Sequence, residues 1–152
     1  MNVRHLLSPL IACVLLLSTS VVWGQTPSAG GGPESAKLTV TVVHAHKAKA
    51  GVDPKLKTLA PYLKKSFTPY TGFTHLGAHE ATVGLDGKKV FELPDGKALT
   101  LSFKGVSKGF IKVYLELDGL KTTVDVRDGG LFFQAGRVYK GGILVLAIGA
   151  KT

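Results

Sequence analysis

One stretch decides the fold: FIKVYLELDGLKTTVDVR, residues 110–127. Asp118-Gly119 lies at its centre, and this dipeptide favours the two-residue type I′ turn of a β-hairpin. A slip of one residue would turn the apolar side chains outward, so the hairpin has one sharply defined register. The predicted pairs are Leu117–Leu120, Glu116–Lys121, Leu115–Thr122, Tyr114–Thr123, Val113–Val124, Lys112–Asp125, Ile111–Val126 and Phe110–Arg127.

The two faces of this hairpin differ in chemistry. The outer face carries two opposite-charge pairs and places Arg127 opposite Phe110, where a cation–π contact is expected. We name four of its residues the aromatic stripe: Phe110, Lys112, Tyr114 and Arg127. The stripe is a candidate binding site, because rings can stack on sugars or bases while cations neutralise anions. In the alternative interpretation, which the sequence favours, the helix or another sheet edge covers the rings. The inner face is apolar and consists of Ile111, Val113, Leu115, Leu117, Leu120, Val124 and Val126.

Turn signals divide the chain after Gly72 at intervals of roughly 8–12 residues. This spacing predicts a mostly β fold, an antiparallel β-sandwich or a partly open barrel of about eight strands. The first strand runs from Lys37 to about His46, and the last, Ile143 to Ile148, is apolar on both faces and should be central or covered by the helix. The turn signals are Asp86-Gly87, Pro94-Asp95-Gly96, Gly105 to Gly109, Asp118-Gly119, Asp128-Gly129-Gly130 and Gly141-Gly142.

One kinked helix is predicted after the first strand. Asp53 can cap it, and Pro54 suits the first helical position. Pro61 lies past the first turn, where it removes a backbone hydrogen bond, so the helix should kink or split near Leu59-Ala60. Its apolar side should pack on a sheet. That side consists of Leu56, Leu59, Ala60 and Leu63, opposite Lys55, Lys57, Lys64 and Lys65.

The N-terminal region predicts export. Residues 1–24 are typical of a secretory signal peptide, in which Arg4 precedes an apolar stretch that ends at Val22-Trp23-Gly24. Residues 25–36 are rich in Gly, Pro and Ser and predict a flexible linker, so residues 37–152 form a single β-sandwich domain. No later stretch approaches the ~18 apolar residues of a membrane span.

Cys13 is the only cysteine of the chain. Cleavage after the signal peptide removes it, so the mature domain has no thiol and no disulfide. The run Leu10-Ile11-Ala12-Cys13 also has the shape of a bacterial lipobox, and a lipid anchor at Cys13 is therefore an alternative. The apolar run continues past Cys13, which favours simple cleavage instead.

The charge of the chain favours acidic partners. Nineteen Lys and Arg residues against ten Asp and Glu residues give a formal net charge of +9, and loss of Arg4 leaves +8. A field of this sign attracts anionic polysaccharide, lipid headgroups or nucleic acid. The lysines are spread along the chain, which also suits an ordinary solvated surface. We expect an envelope protein or an anionic polysaccharide as partner, and not nucleic acid.

Four histidines provide an alternative function. His44 and His46 lie at i, i+2 on the first strand, and His75 and His79 lie at i, i+4 in the next. Both spacings place a pair on one face of an extended chain, so all four could converge on Cu or Zn. No carboxylate or cysteine accompanies them at a metal-site spacing, so no cofactor is expected.

The sequence argues against an enzyme. The mature chain has no cysteine nucleophile and no serine in a Gly-x-Ser-x-Gly motif. No glycine-rich loop leads from a strand into a helix, so a nucleotide phosphate site has no support. A cleft that gathered Glu80, Glu92 or Glu116 beside a histidine would instead favour catalysis.

Three segments carry a resemblance: Val52 to Lys65, Pro94-Asp95-Gly96 and Gly141 to Ile148. Together they look like uncharacterised small exported bacterial proteins, which are β-rich and have no known activity. The resemblance covers most of residues 37–152 and implies a bacterial envelope setting, periplasmic or extracellular. The expected function is that of a non-catalytic binding or structural component of the envelope, and the alternative is a periplasmic Cu/Zn-binding protein that uses the four histidines.

Overall fold

The computed structural model describes residues 31–152. The predicted signal peptide, Cys13 and most of the predicted linker lie outside these residues. The first strand begins two residues before the predicted Lys37, at Ser35. The described elements, in chain order, are β1 (Ser35–His46), β2 (Gly51–Val52), a 3-10 helix (Pro54–Leu56), α1 (Ala60–Ser66), β3 (Gly72–Gly84), β4 (Lys88–Glu92), β5 (Ala98–Ser107), β6 (Phe110–Leu117), β7 (Leu120–Arg127), β8 (Leu131–Tyr139) and β9 (Gly142–Lys151).

The strands form two sheets, which confirms the predicted sandwich. The large sheet has the strand order β2-β3-β1-β9-β8, and the small sheet has the order β4-β5-β6-β7. Neighbouring strands are antiparallel except β2, which pairs parallel with the start of β3. The described part of the chain has nine strands where about eight were predicted. The additional strand is β2, whose two residues are too few to show an alternating pattern.

The hairpin of β6 and β7 has the predicted register in all eight pairs. Asp118 and Gly119 have φ values of 47° and 86°, as a type I′ turn requires at both central positions. One member of the predicted inner face differs. Leu120 is exposed, because it is the first residue after the turn and begins a strand at the edge of the small sheet.

The main core lies between the two sheets. Alternate residues of β1, β5, β6 and β9 point into it, so the period of two in the sequence becomes a closed apolar layer. Residues 31–152 contain no cysteine, so apolar burial and hydrogen bonding hold the sheets together without a covalent cross-link. The most buried residues of this main core include Leu38, Val40, Val42, Leu99, Leu101, Phe103, Val113, Leu115, Leu144 and Ile148.

The predicted helix is split in two, as the position of Pro61 indicates. A short 3-10 helix, capped by the Asp53 side chain, ends at Leu56, and α1 begins at Ala60 with Pro61 in its first turn. Proline is tolerated there because the first backbone N–H groups of a helix have no intrahelical partner. Leu56 and Leu63 are fully buried against the outer face of the large sheet, beside Val43, Phe73 and Val145. The helical segment therefore covers part of the outer face of the large sheet, and strand β9 is apolar on both faces, as predicted.

One predicted turn is wrong in extent. The turn expected from Gly105 to Gly109 is confined to the Lys108-Gly109 region, because β5 continues to Ser107. Gly105 forms an irregularity within β5, where the register to β6 shifts between Phe103 and Val106. Among residues 31–152, no helix is long and apolar enough to cross a membrane.

Candidate functional site

The aromatic stripe lies on the outer face of the small sheet, as its register predicts. Phe110, Lys112 and Tyr114 are half-buried and Arg127 is exposed. The helical segment packs on the large sheet, so the expectation that the helix covers these rings is wrong. The helix lies elsewhere because the outer face of the large sheet offers large apolar side chains at Phe73, Val145 and Ile143.

The cations of the stripe are already engaged. Lys112 Nζ lies 2.9 Å from Asp125 Oδ1, and the Arg127 guanidinium lies 5.8 Å from the centre of the Phe110 ring. Lys121 and Lys104 nearby pair with Glu116 and Asp86. Opposite charges thus alternate on this face, and the field that it presents to an anion is weak.

The four histidines do not share one face of the sheet. In β3, Leu76 has no partner in β1, because Val42 pairs with Gly77 and Val43 pairs with His75. This irregularity reverses the alternation, since one extra residue changes the face that follows it. His75 therefore lies on the outer face of the large sheet, whereas His79 contacts Phe91 of the small sheet on the inner side. The expectation that the i, i+4 pair shares a face is wrong, and no group of three or more potential metal ligands occurs in the part of the chain described.

His44 and His46 remain together at one end of β1. Their ring centres are 4.9 Å apart. The His44 Nε2 donates to the Tyr139 carbonyl oxygen at 3.0 Å, and His46 Nε2 lies 3.0 Å from Thr74 Oγ1. Burial, followed by the nearby His46, lowers the pKa of His44 below its usual value and outweighs the opposing effect of the Tyr139 carbonyl. Each ring thus has a hydrogen-bond partner at Nε2, while His46 Nδ1 is buried without one. Two of the four histidines lie side by side here, which is fewer than the predicted metal site requires.

A groove of about 420 Å³ lies on the outer face of the large sheet, beside the 3-10 helix. Its floor follows two rows of cross-strand neighbours, Glu80–Thr39–Gly149 and Ala78–Thr41–Ala147. Lys37 and Lys151, directly opposite each other on β1 and β9, close one end. The walls are formed by Lys55, Thr58, Leu59 and His75 on one side and by Gly129, Gly130 and Leu131 on the other.

The groove exists because small side chains replace large ones along this face. Beneath the helix the outer positions of β1 and β9 are Val43, Ala45 and Val145, whereas farther along they are threonine, alanine and glycine. Gly149 has no room for a side chain, since a Cβ there would lie 2.6 Å from Thr39 Oγ1. Both threonine hydroxyls thus line an open floor, and the strands at its centre, β1 and β9, have their backbones paired on both sides.

Glu80 and His75 both line this groove, which is the juxtaposition that would favour catalysis. Their partners in β1 are Thr39 and Val43, four positions apart, which corresponds to roughly 13 Å along the strand. The Glu80 carboxylate is also bound to Lys37 Nζ at 2.8 Å. Glu80 is the one carboxylate that lines the groove within residues 31–152, so neither a base–acid contact nor a carboxylate pair for glycoside hydrolysis is assembled.

Positive charge is concentrated beside the groove. We name residues 47–65 the lysine-rich segment; it contains six lysines and one acid, Asp53, for a net charge of +5. The whole described part carries 18 cations and 10 acids, or +8, so the remaining 103 residues together carry only +3. The six lysines are Lys47, Lys49, Lys55, Lys57, Lys64 and Lys65; all are exposed, and none takes part in an ion pair with residues 31–152.

Sequence reasoning missed this asymmetry because it weighed the lysines without the acids. No Asp or Glu occurs from residue 54 to residue 79, while eight of the ten acids follow that stretch. The groove had a sequence signal as well. Along one face of β1 the side chains change from Lys37, Thr39 and Thr41 to Val43 and Ala45, and this change marks the point at which the apolar cover ends.

Comparison with known proteins finds no matching family model, no similar curated protein and no similar solved structure.

Proposed function

We propose that this protein is an exported, non-catalytic component of the bacterial envelope that binds an anionic polysaccharide through its lysine-rich segment. The observation that carries the proposal is the net charge of +5 within residues 47–65, on six exposed lysines without ion-pair partners among the described residues. Export, to the periplasm or the cell exterior, rests on the predicted signal peptide.

The charge distribution favours this segment over the aromatic stripe. A polyanion binds most tightly where lysines of the protein displace its counterions and no carboxylate of the protein competes for those lysines. On the stripe, Lys112 would first have to leave Asp125. In the lysine-rich segment the nearest acid along the chain, Asp53, already caps the 3-10 helix by accepting from the backbone N–H of Lys55. The lysines there are therefore available to a ligand.

Two triple variants with equal change in net charge test the proposal. Lys57→Gln/Lys64→Gln/Lys65→Gln removes charge from the segment, and Lys104→Gln/Lys112→Gln/Lys121→Gln removes three lysines that have ion-pair partners. On immobilised heparin, the first variant should elute at a clearly lower salt concentration than the wild type, and the second should elute close to it. Equal losses in both variants would show that only total charge matters. No retention of the wild type would reject polyanion binding altogether.

A further inference from the structure

The groove adjoins the lysine-rich segment, since Lys55 belongs to both. We propose that the groove is a subsite that holds one acidic sugar unit of the polysaccharide, with its carboxylate or sulfate between Lys55 and Lys151. This inference rests on the proposed function and names the unit that the site selects.

The chemistry of the lining favours an anion. Lys37, Lys55 and Lys151 line the groove, and Glu80 neutralises only Lys37, to which it is bound at 2.8 Å. Lys151 at the closed end and Lys55 on the helix side thus remain for a ligand, together with the His75 ring. A charge-assisted hydrogen bond to an ammonium group is stronger than a neutral one, so an acidic group should be preferred to a hydroxyl at this place.

The remaining lining favours a hydroxylated ligand. The hydroxyl groups of Thr39, Thr41 and Thr58 line the groove, and each can donate and accept a hydrogen bond. Sugar hydroxyls also act as both donors and acceptors, so the two sets of groups can pair. Between them, Ala78, Ala147 and Gly149 keep the floor low enough for a ring to approach. The volume of about 420 Å³ falls within the roughly 300–1,000 Å³ of small-molecule sites.

Two features of the groove argue against a neutral sugar and against an extended peptide as its ligand. Within residues 31–152, no phenylalanine, tyrosine or tryptophan lines the groove, so a neutral sugar would lack the stacking surface on which it usually depends. The centre of the floor is formed by β1 and β9, whose backbone groups are paired with neighbouring strands on both sides, whereas β3 pairs with β2 only at Gly72 and Phe73. Strand addition requires an unpaired edge, so a ligand that lies on β1 and β9 is recognised through side chains.

Calorimetric titration of the protein with trigalacturonate tests the inference, with maltotriose and triglutamate as the neutral and peptide probes. Ala78→Leu fills the groove without a change of charge, and Thr41→Val removes one hydroxyl at almost constant volume. Lys151→Gln removes a groove cation, and Lys140→Gln is its control at an exposed lysine outside the groove.

The wild type should bind trigalacturonate and neither of the other probes. Ala78→Leu and Lys151→Gln should each lower the affinity at least about tenfold, Thr41→Val about fivefold, and Lys140→Gln should leave it unchanged. Equal binding of triglutamate would overturn the choice of a sugar, and undiminished binding by folded Ala78→Leu and Thr41→Val would overturn the site. In either case heparin retention that still depends on Lys57, Lys64 and Lys65 would leave the proposed function standing. Loss of that dependence would count against the proposed function itself.

Discussion

Arg137 joins the two sheets at one end of the sandwich. It lies on β8, at the edge of the large sheet, and its Nε donates to Asp95 Oδ2 at 2.5 Å. Its Nη1 donates to Asp118 Oδ2 at 2.7 Å, and Lys97 Nζ lies 3.0 Å from the other oxygen of Asp118. Both acids belong to turns of the small sheet, so one guanidinium fixes two loops that follow different strands.

Arg137 and Lys97 lower the pKa values of Asp95 and Asp118. Burial alone would raise the pKa of Asp95, but hydrogen bonds from the Arg137 side chain and the Lys97 backbone outweigh it and hold the pKa below its usual value. Hydrogen bonds from Arg137 and Lys97 likewise lower the pKa of Asp118. A carboxyl group with a lowered pKa stabilises the fold above its ordinary pKa, and this contribution disappears as the pH falls through the folded value.

Arg137→Gln should therefore lower the free energy of unfolding by about 2 kcal/mol at pH 7, because it leaves the Asp95 carboxylate without its charged partner. The side chain of Asp95 is only 11% exposed, so water cannot fully replace that partner. In urea denaturation at a series of pH values, the difference from the wild type should shrink as the pH falls below 4, where the carboxylates become protonated.

The matched control is Lys104→Gln, which breaks the exposed pair with Asp86. It should change the free energy of unfolding by less than about 0.5 kcal/mol. A constant difference for Arg137→Gln down to pH 2 would contradict the role given to the two carboxylates. Sequence reasoning identified Asp95 and Asp118 as turn residues but could not connect them with Arg137, because contacts across 42 and 19 positions follow from the packed fold.

The secondary-structure elements that were predicted correctly follow from short sequence signals for turns and helix ends. The hairpin of β6 and β7 follows from the Asp118-Gly119 turn, and the split helix follows from Pro61. The irregularity at Leu76 obeys no such rule. Gly77 beside it is a weak signal, since an isolated glycine inside a strand suggests a bulge, but it does not say which residue loses its partner. The register of β3 is set by its long pairing with β1. This one residue decides that His75 faces the groove and His79 does not.

The helical segment is held to the sheet by a few side chains, and α1 offers adjacent residues that test this. Leu63 is 0% exposed and Tyr62 is 56% exposed. Leu63→Ala should lower the free energy of unfolding by about 3 kcal/mol, since it removes apolar contact and leaves a cavity against the large sheet. Tyr62→Ala should cost less than about 0.5 kcal/mol. Comparable losses in chemical denaturation would mean that α1 is not anchored through Leu63.

Across the whole molecule, the sandwich could be predicted because turn signals and alternation recur along the entire chain. The net charge of residues 47–65 is also readable from the sequence. The ion pairs of Asp86, Asp125 and Glu116 with lysines of the small sheet are not, because they depend on how the strands pack. The groove likewise depends on how far the helical segment extends over the large sheet. Composition therefore predicts the charge of the proposed partner, and the fold shows which lysines have no ion-pair partner among residues 31–152.

The proposed function assumes export, which is predicted from residues 1–24. On expression in a Gram-negative bacterium, intact-mass measurement should find a product that begins at Gln25 and fractionates with the envelope. Leu16→Arg introduces a charge into the apolar run, which should block insertion and leave Met1 on a cytoplasmic product. Ser28→Arg adds the same charge within the linker and should be processed normally. A wild-type chain that keeps Met1 and stays in the cytoplasm would contradict the prediction, whereas an acylated N-terminus at Cys13 would replace simple cleavage by a lipid anchor.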